Sequence, residues 1–311
     1  MRAILYGLLA SCLFSTAFIF TRAIQVDGGN WMWSAALRFF WMVPLLFIIV
    51  AVRKKLSHSF RHLRTHFKAY LLWSTLGFGL FYAPLTFASI YSPGWLVAGS
   101  WQITLIAGSL LVPFLGTNTA NKKIPWQELK WSLVIILGVL LILWDQISNI
   151  SWQMALAGFI PVLVAAFMYP LGNRKMMEIC QGEIETPERV LNMTLASLPF
   201  WCVIALGGGI SDGLPSQTQV YYSFLIALFS GVIATLLFFS ATNMVRNNPS
   251  QLAIVEATQA GEVLSTLVGE MLLLNIHLPS MTALCGITLI MLGMVVHSIA
   301  SIKIQRKELA H

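Results

Sequence analysis

The stretch from Ala3 to Thr21, AILYGLLASCLFSTAFIFT, holds no charged residue. At the rise of an α-helix it is about 28 Å long, close to the thickness of a bilayer's hydrocarbon core. Three further charge-free runs follow, from Trp131 to Trp144, Tyr221 to Ala241 and Thr282 to Ala300. Of 311 residues, 57% are hydrophobic and 10% charged, whereas a soluble domain carries about 25% charge. The chain reads as an all-α polytopic membrane protein.

Hydropathy predicts ten spans, over 3–24, 33–52, 69–90, 95–115, 129–147, 152–172, 190–210, 219–240, 251–274 and 280–300. The segments between them alternate in charge. RKKLSHSFRHLRTHFK at 53–68 carries six Lys and Arg, the 116–130 and 173–189 segments three each, and the tail three more. The alternate loops SPG, DQISNIS, GGISDGLPSQ and NIHLPS carry none. With Arg2 and Arg246, seventeen of the nineteen basic residues fall on one side, with Arg22 near the other and Arg38 inside the second span. Basic loops stay cytoplasmic, so both termini are expected inside a plasma membrane. The net charge of +7 then reflects topology, not binding to nucleic acid.

Cys12, Cys180, Cys202 and Cys285 show no disulfide or metal-ligand spacing. LASC, ending at Cys12, reads as part of the first membrane helix, because the apolar run continues past it. His58, His62 and His66 share one face of a helix, but Arg61, Arg64 and Lys68 beside them oppose a cation. The segment reads as a basic linker, and neither a metal nor a cofactor is expected.

The two halves of the sequence echo one another. Aligning Gln102 with Gln259 brings Pro93 near Pro249, Arg22 near Arg174 and Pro44 near Pro199. Five spans per half is an odd number, so the second half enters the membrane inverted. The expected units are 1–149, 150–302 and a tail, 303–311. Inverted repeats with a site near the midplane are the common plan of secondary transporters.

The ninth span contains EATQAGEVLSTLVGE, Glu256 to Glu270. Counted from its start, Glu256 lies about 8 Å deep, Glu262 about 17 Å and Glu270 about 29 Å. A carboxylate at mid-membrane costs about 2.5 to 3.5 kcal/mol and is a functional candidate by default. Glu262 is the group expected to bind either a proton or a cationic substrate, with Glu256 and Gln259 beside it. The fourth span contributes Trp101, Gln102 and Thr104, with Gln102 and Gln259 as a pseudo-symmetric polar pair. Arg38 and Glu270, expected near the same outer level, are candidates for an ion pair.

ALRFF at 36–40, GSWQITLIAGSLLVP at 99–113, YPLGNRK at 169–175 and EATQAGEVLSTLVGE carry a resemblance over essentially the whole chain. The sequence resembles ten-helix members of the drug/metabolite transporter superfamily, most closely the branch of multidrug resistance efflux transporters. The resemblance implies two inverted five-helix bundles around a central cavity. Ten-helix members move amino acids, nucleotide sugars or other metabolites. The four-helix multidrug pumps exchange protons for cations at a carboxylate in their first helix. Here neither the first nor the sixth span has an acid, so that role falls to the ninth.

The sequence therefore predicts a secondary transporter, with proton-coupled efflux of small organic compounds ahead of transport of a polar metabolite such as an amino acid. Its partners are a small molecule, protons and membrane lipid, as a monomer or homodimer. A primary pump lacks the GxxxxGK[ST] loop it would need, and a channel lacks a filter. A membrane enzyme or a non-transporting sensor is the alternative of another class.

Overall fold

A computed structural model describes residues 2–111, 113, 126–245, 251, 254–255 and 257–308. All of its regular structure is helical. The first two helices are α1 (Arg2–Val26) and α2 (Trp31–Val52). The basic linker forms α3 (Leu56–Thr65), which turns at His66 into the third span. That span comprises α4 (Phe67–Ser74), a π-helical segment (Thr75–Gly79) and α5 (Leu80–Ala88). Next come α6 (Gly94–Trp101), α7 (Thr104–Leu110), α8 (Trp126–Asn149), α9 (Trp152–Cys180) and α10 (Thr186–Asp212). The eighth span repeats the form of the third, with α11 (Gln217–Ile226), a π segment (Ala227–Ala234) and α12 (Thr235–Met244). Helices α13 (Ala260–Leu273) and α14 (Met281–Glu308) complete the fold.

Short polar side chains begin several of these helices. Asn30 accepts from the N–H of Met32 and Trp33, Ser151 from Met154 and Ser216 from Gln219. Glu185 and Glu188 form a reciprocal capping box at the start of α10. Each cap satisfies N–H groups that a helix start leaves unpaired.

Among the described residues, eight helices are long and apolar enough to cross a membrane. The chain is a polytopic membrane protein, but the expected fourth and ninth spans are not single long helices. At Gln102 the N–H groups of Gln102, Ile103 and Leu105 bond three residues back, to Gly99, Ser100 and Gln102. At Gln259 the N–H groups of Thr258, Gly261 and Glu262 do the same, to Val255, Thr258 and Gln259. Such i→i+3 bonds tighten the chain and break the α-helical run.

Packing pairs α8 with α14 and α2 with α10. Helix α1 packs on α13 and on the eighth span, while α9 packs on α6, α7 and the third span. The α8 sequence shows why: Ile135, Val139 and Ile142 are buried against α14, while Leu133, Leu137, Leu140 and Trp144 are exposed. Both faces are apolar because one meets protein and the other meets lipid. At the α9 crossing of the third span, a Cβ on Gly172 would stand 2.4 Å from the Gly77 Cα. Only two glycines allow that approach.

Candidate functional site

A cavity of about 90 Å³ lies between α1, α2, the third span, α6, α9, the eighth span and α13. Its wall is mostly aromatic and aliphatic, and includes Phe39, Phe78, Phe81, Tyr82, Trp101 and Tyr169. Among the described residues, two charged side chains reach it, Arg38 from α2 and Glu262 from α13. Gln259, at the break before α13, lines it too, as do Asn173 and Ser230.

Arg38 is 7% exposed. Its guanidinium lies 4.0 Å from the centre of the Tyr82 ring and donates from Nη2 to the Ser230 hydroxyl at 3.3 Å. Its Nε–H has no hydrogen-bond partner. Ser230 belongs to the π segment of the eighth span, so the widened turn places a hydroxyl against the arginine. A ring face and one hydroxyl compensate a buried guanidinium only in part, since it offers five donors.

Glu262 is 5% exposed, in the first turn of α13. The positive end of that short helix lies beside its carboxylate. Gln102 reaches it from across the fourth span, and Arg38 exerts a favourable field on it. Among the described residues, Arg38 and Glu262 form no direct ion pair.

Of the other expected site residues, the three from the fourth span take different positions. Trp101 lines the cavity, packed edge-on against Tyr169 with centroids 5.5 Å apart. Gln102 is fully buried; its side-chain N–H₂ donates to the Ala98 carbonyl at 3.1 Å, and its Oε1 has no hydrogen-bond partner. Thr104 points elsewhere, donating to the Ala166 carbonyl at 3.1 Å. Glu256 lies outside the described residues.

The expected pairing of Arg38 with Glu270 is not formed. Glu270 is fully buried, and its two oxygens accept from the N–H of Gly94 at 2.8 Å and Trp95 at 3.1 Å. It caps α6 from another span, with Pro93 at the cap position offering no side-chain bond of its own. The cation in its field is Arg22, which itself donates to the Ser89 carbonyl at 2.7 Å. The sequence places Glu270 near the outer interface and could not indicate a backbone partner 176 residues away.

Tyr82, Tyr169 and Asn173 are cavity residues the sequence reading did not identify. Nothing distinguishes Tyr82 from the other aromatic residues in sequence. YPLGNRK, which begins at Tyr169 and includes Asn173, did carry the signal.

A membrane bundle with two interrupted helices at a central, partly polar cavity defines a transporter-like protein. The comparisons with known proteins give its family. Residues 1–303 match the family described as "EmrE: Putative multidrug resistance efflux transporter", and the chain belongs to it. It is a transporter-family helical membrane protein, not an enzyme. Uncharacterized protein YjlA of Bacillus subtilis (strain 168) is 47% identical over 97% of this chain and 95% of its own. An uncharacterized 42.1 kDa protein of Shouchella clausii is 44% identical over 84% and 70%. Uncharacterized transporter YoaV of B. subtilis is 25% identical over 79% and 81%. A solved crystal structure superposes with a TM-score of 0.65 over 97% of this chain and 98% of its own, at 14% identity. That likeness concerns the fold alone.

Proposed function

We propose that the chain is a secondary active transporter built from two inverted five-helix repeats, coupling outward movement of small organic compounds to inward movement of protons. Three correspondences support the repeat. The π segments at 75–79 and 227–234 begin 152 residues apart. The helix breaks at Gln102 and Gln259 are 157 apart. Packing is reciprocal as well: α1 meets the eighth and ninth spans, and α9 meets the third and fourth. Two halves of like fold at one cavity can exchange conformations and so open it to each side in turn.

The observation that carries the reading is Glu262 in the cavity with no ion pair to a cation among the described residues. Its carboxylate is stabilised there by a proton or by a positively charged ligand group, and the two compete. Competition for one site is the core of antiport. The residues proposed for substrate and proton are Glu262, Gln259, Gln102 and Trp101, with Arg38 added by its place in the wall. Glu256 stays a proposal from sequence, and Thr104 helps hold the fourth span against α9.

Arg38 bears on the substrate class. Arg38 and Glu262 at one cavity suit a small molecule that carries both charges, such as an amino acid with an apolar side chain. A purely cationic drug gains from Glu262 and from the aromatic wall but is opposed by Arg38. The family description favours drug-like compounds, and the charges of the cavity favour zwitterions.

The test is proton release from purified protein in weak buffer on adding ligands. Neutral apolar amino acids and lipophilic cations are compared, in wild type and Glu262→Gln. Release by either class, lost in the folded mutant, is expected. Undiminished release in Glu262→Gln removes Glu262 from coupling. Ligand binding without any proton release removes the antiport mechanism.

A further inference from the structure

The basic linker and the turn after α9 meet at three potential metal ligands outside the membrane-spanning segments. The nitrogens of His62 and His66 and a carboxylate oxygen of Glu183 lie within 4.8 Å of one another. His62 Nε2 is 3.6 Å from Glu183 Oε2. The two imidazole centroids are 4.8 Å apart.

His62 is held as a metal ligand needs to be. It is 7% exposed, and its Nδ1 is 3.0 Å from the Tyr70 hydroxyl. That hydroxyl is fixed in turn by the Cys180 thiol and the Asn192 amide, both at 3.5 Å. The other nitrogen, Nε2, is buried without a hydrogen-bond partner and faces Glu183. A second-shell bond at one imidazole nitrogen commonly orients the other toward a metal.

The surroundings fix both partners in place. Ser59 and Asn192 exchange two hydrogen bonds, at 2.8 and 2.9 Å, and His58 contacts Glu188 at 2.8 Å. Across the linker, Gln181 and Gly182 have φ of 45° and 82°, so the chain reverses and presents Glu183. The Arg and Lys residues nearby disfavour a hard cation held only by charge. Two imidazoles and one carboxylate suit a borderline ion such as zinc.

We propose that His62, His66 and Glu183 bind a divalent transition-metal ion of the zinc type, which joins the linker before the third span to the turn before the seventh. Ligands of tetrahedral zinc stand roughly 3.3 Å apart. His62 Nε2 and Glu183 are near that spacing already, at 3.6 Å; Glu183, with its side chain 63% exposed, and the half-buried His66 would adjust to complete the set, with water as the fourth ligand. The site is separate from the central cavity and does not depend on the transport reading.

The test is titration of zinc into tag-free, chelator-treated protein in detergent, with cobalt as the absorbing substitute. Wild type is expected to bind one ion per chain, to unfold at higher temperature with it, and to give the visible spectrum of tetrahedral cobalt. Both His66→Ala and Glu183→Gln, substitutions at non-core positions, should weaken binding about tenfold or more. Their metal-free melting should stay near wild type. No binding by wild type overturns the proposal, as does binding that both variants retain in full.

Discussion

At the residue scale, three buried charges have three different solutions, and each predicts a different mutant. Glu270 acts as a cap: its two oxygens hold two N–H groups at the start of α6. Glu270→Ala leaves those donors unsatisfied in a dry environment. The expected loss is about 1 to 3 kcal/mol, read as a lower unfolding midpoint in detergent. Glu270→Gln, with one acceptor left, should lose less. Equal stability of all three proteins would deny the capping role. Arg38 is held by a ring and one hydroxyl, an arrangement that leaves donors for a ligand. Arg38→Met keeps an unbranched side chain of similar reach and removes the charge. It is expected to bind an amino acid no better than the corresponding amide, whereas wild type prefers the free carboxylate by about tenfold, the effect of one charge-assisted hydrogen bond. Calorimetry with both ligands decides it; an unchanged preference would place the carboxylate elsewhere. Glu262, in contrast to Glu270, has no pair of backbone donors, which is why the proton-release experiment centres on it.

At the scale of elements, the helix interruptions matter most, and they were the least legible in sequence. Charge-free runs made the spans evident, and short polar residues such as Asn30, Ser151 and Ser216 mark helix starts. The breaks at Gln102 and Gln259 contain no proline, and a shift from i→i+4 to i→i+3 bonding leaves no pattern in hydropathy. The two glutamines stand out in sequence as polar residues, but nothing there reveals the backbone break at each. The π segments are equally silent, although Gly77 within one of them marks a close approach. The basic linker's helix is held by Asn192 and Glu188, more than 120 residues away, contacts that no local pattern announces. Close approach also gives a test at this scale. Gly172→Ala brings a Cβ into the Gly77 backbone, which has no side chain to move aside. Separation of α9 from the third span should cost about 1 to 3 kcal/mol. Gly209→Ala is the matched control, since its Cβ meets only Trp33 at 3.7 Å. Helix propensity favours alanine at both positions. A thermal midpoint lowered at 172 and not at 209 is expected; equal effects would mean that the crossing tolerates the methyl.

At the scale of the molecule, the question is which way the bundle faces. Membrane insertion responds to Lys and Arg in short loops, and this chain divides them sharply. The turn at Arg53–Lys55 and the turn around Gly182 lie on the basic side, while Gly213 and Asn275 lie in loops that have no Lys or Arg. Each position is in a loop or turn between helices, so a cysteine there tests topology without entering a packed crossing. The native cysteines must first be removed, because Cys12, Cys202 and Cys285 are exposed on the bundle surface. In intact cells a membrane-impermeant maleimide should then label Gly213→Cys and Asn275→Cys. Lys54→Cys and Gly182→Cys should react only after permeabilisation. The two arms are linked by an even number of crossings: from Lys54 to Gly182 the chain must cross the membrane four times if the interrupted fourth span crosses it once. Labelling Gly182→Cys from outside while Lys54→Cys stays protected would make that number odd, and the interrupted fourth span would be re-entrant. The second half would then not be inverted relative to the first, and the proposed alternating access would lack the symmetry it needs.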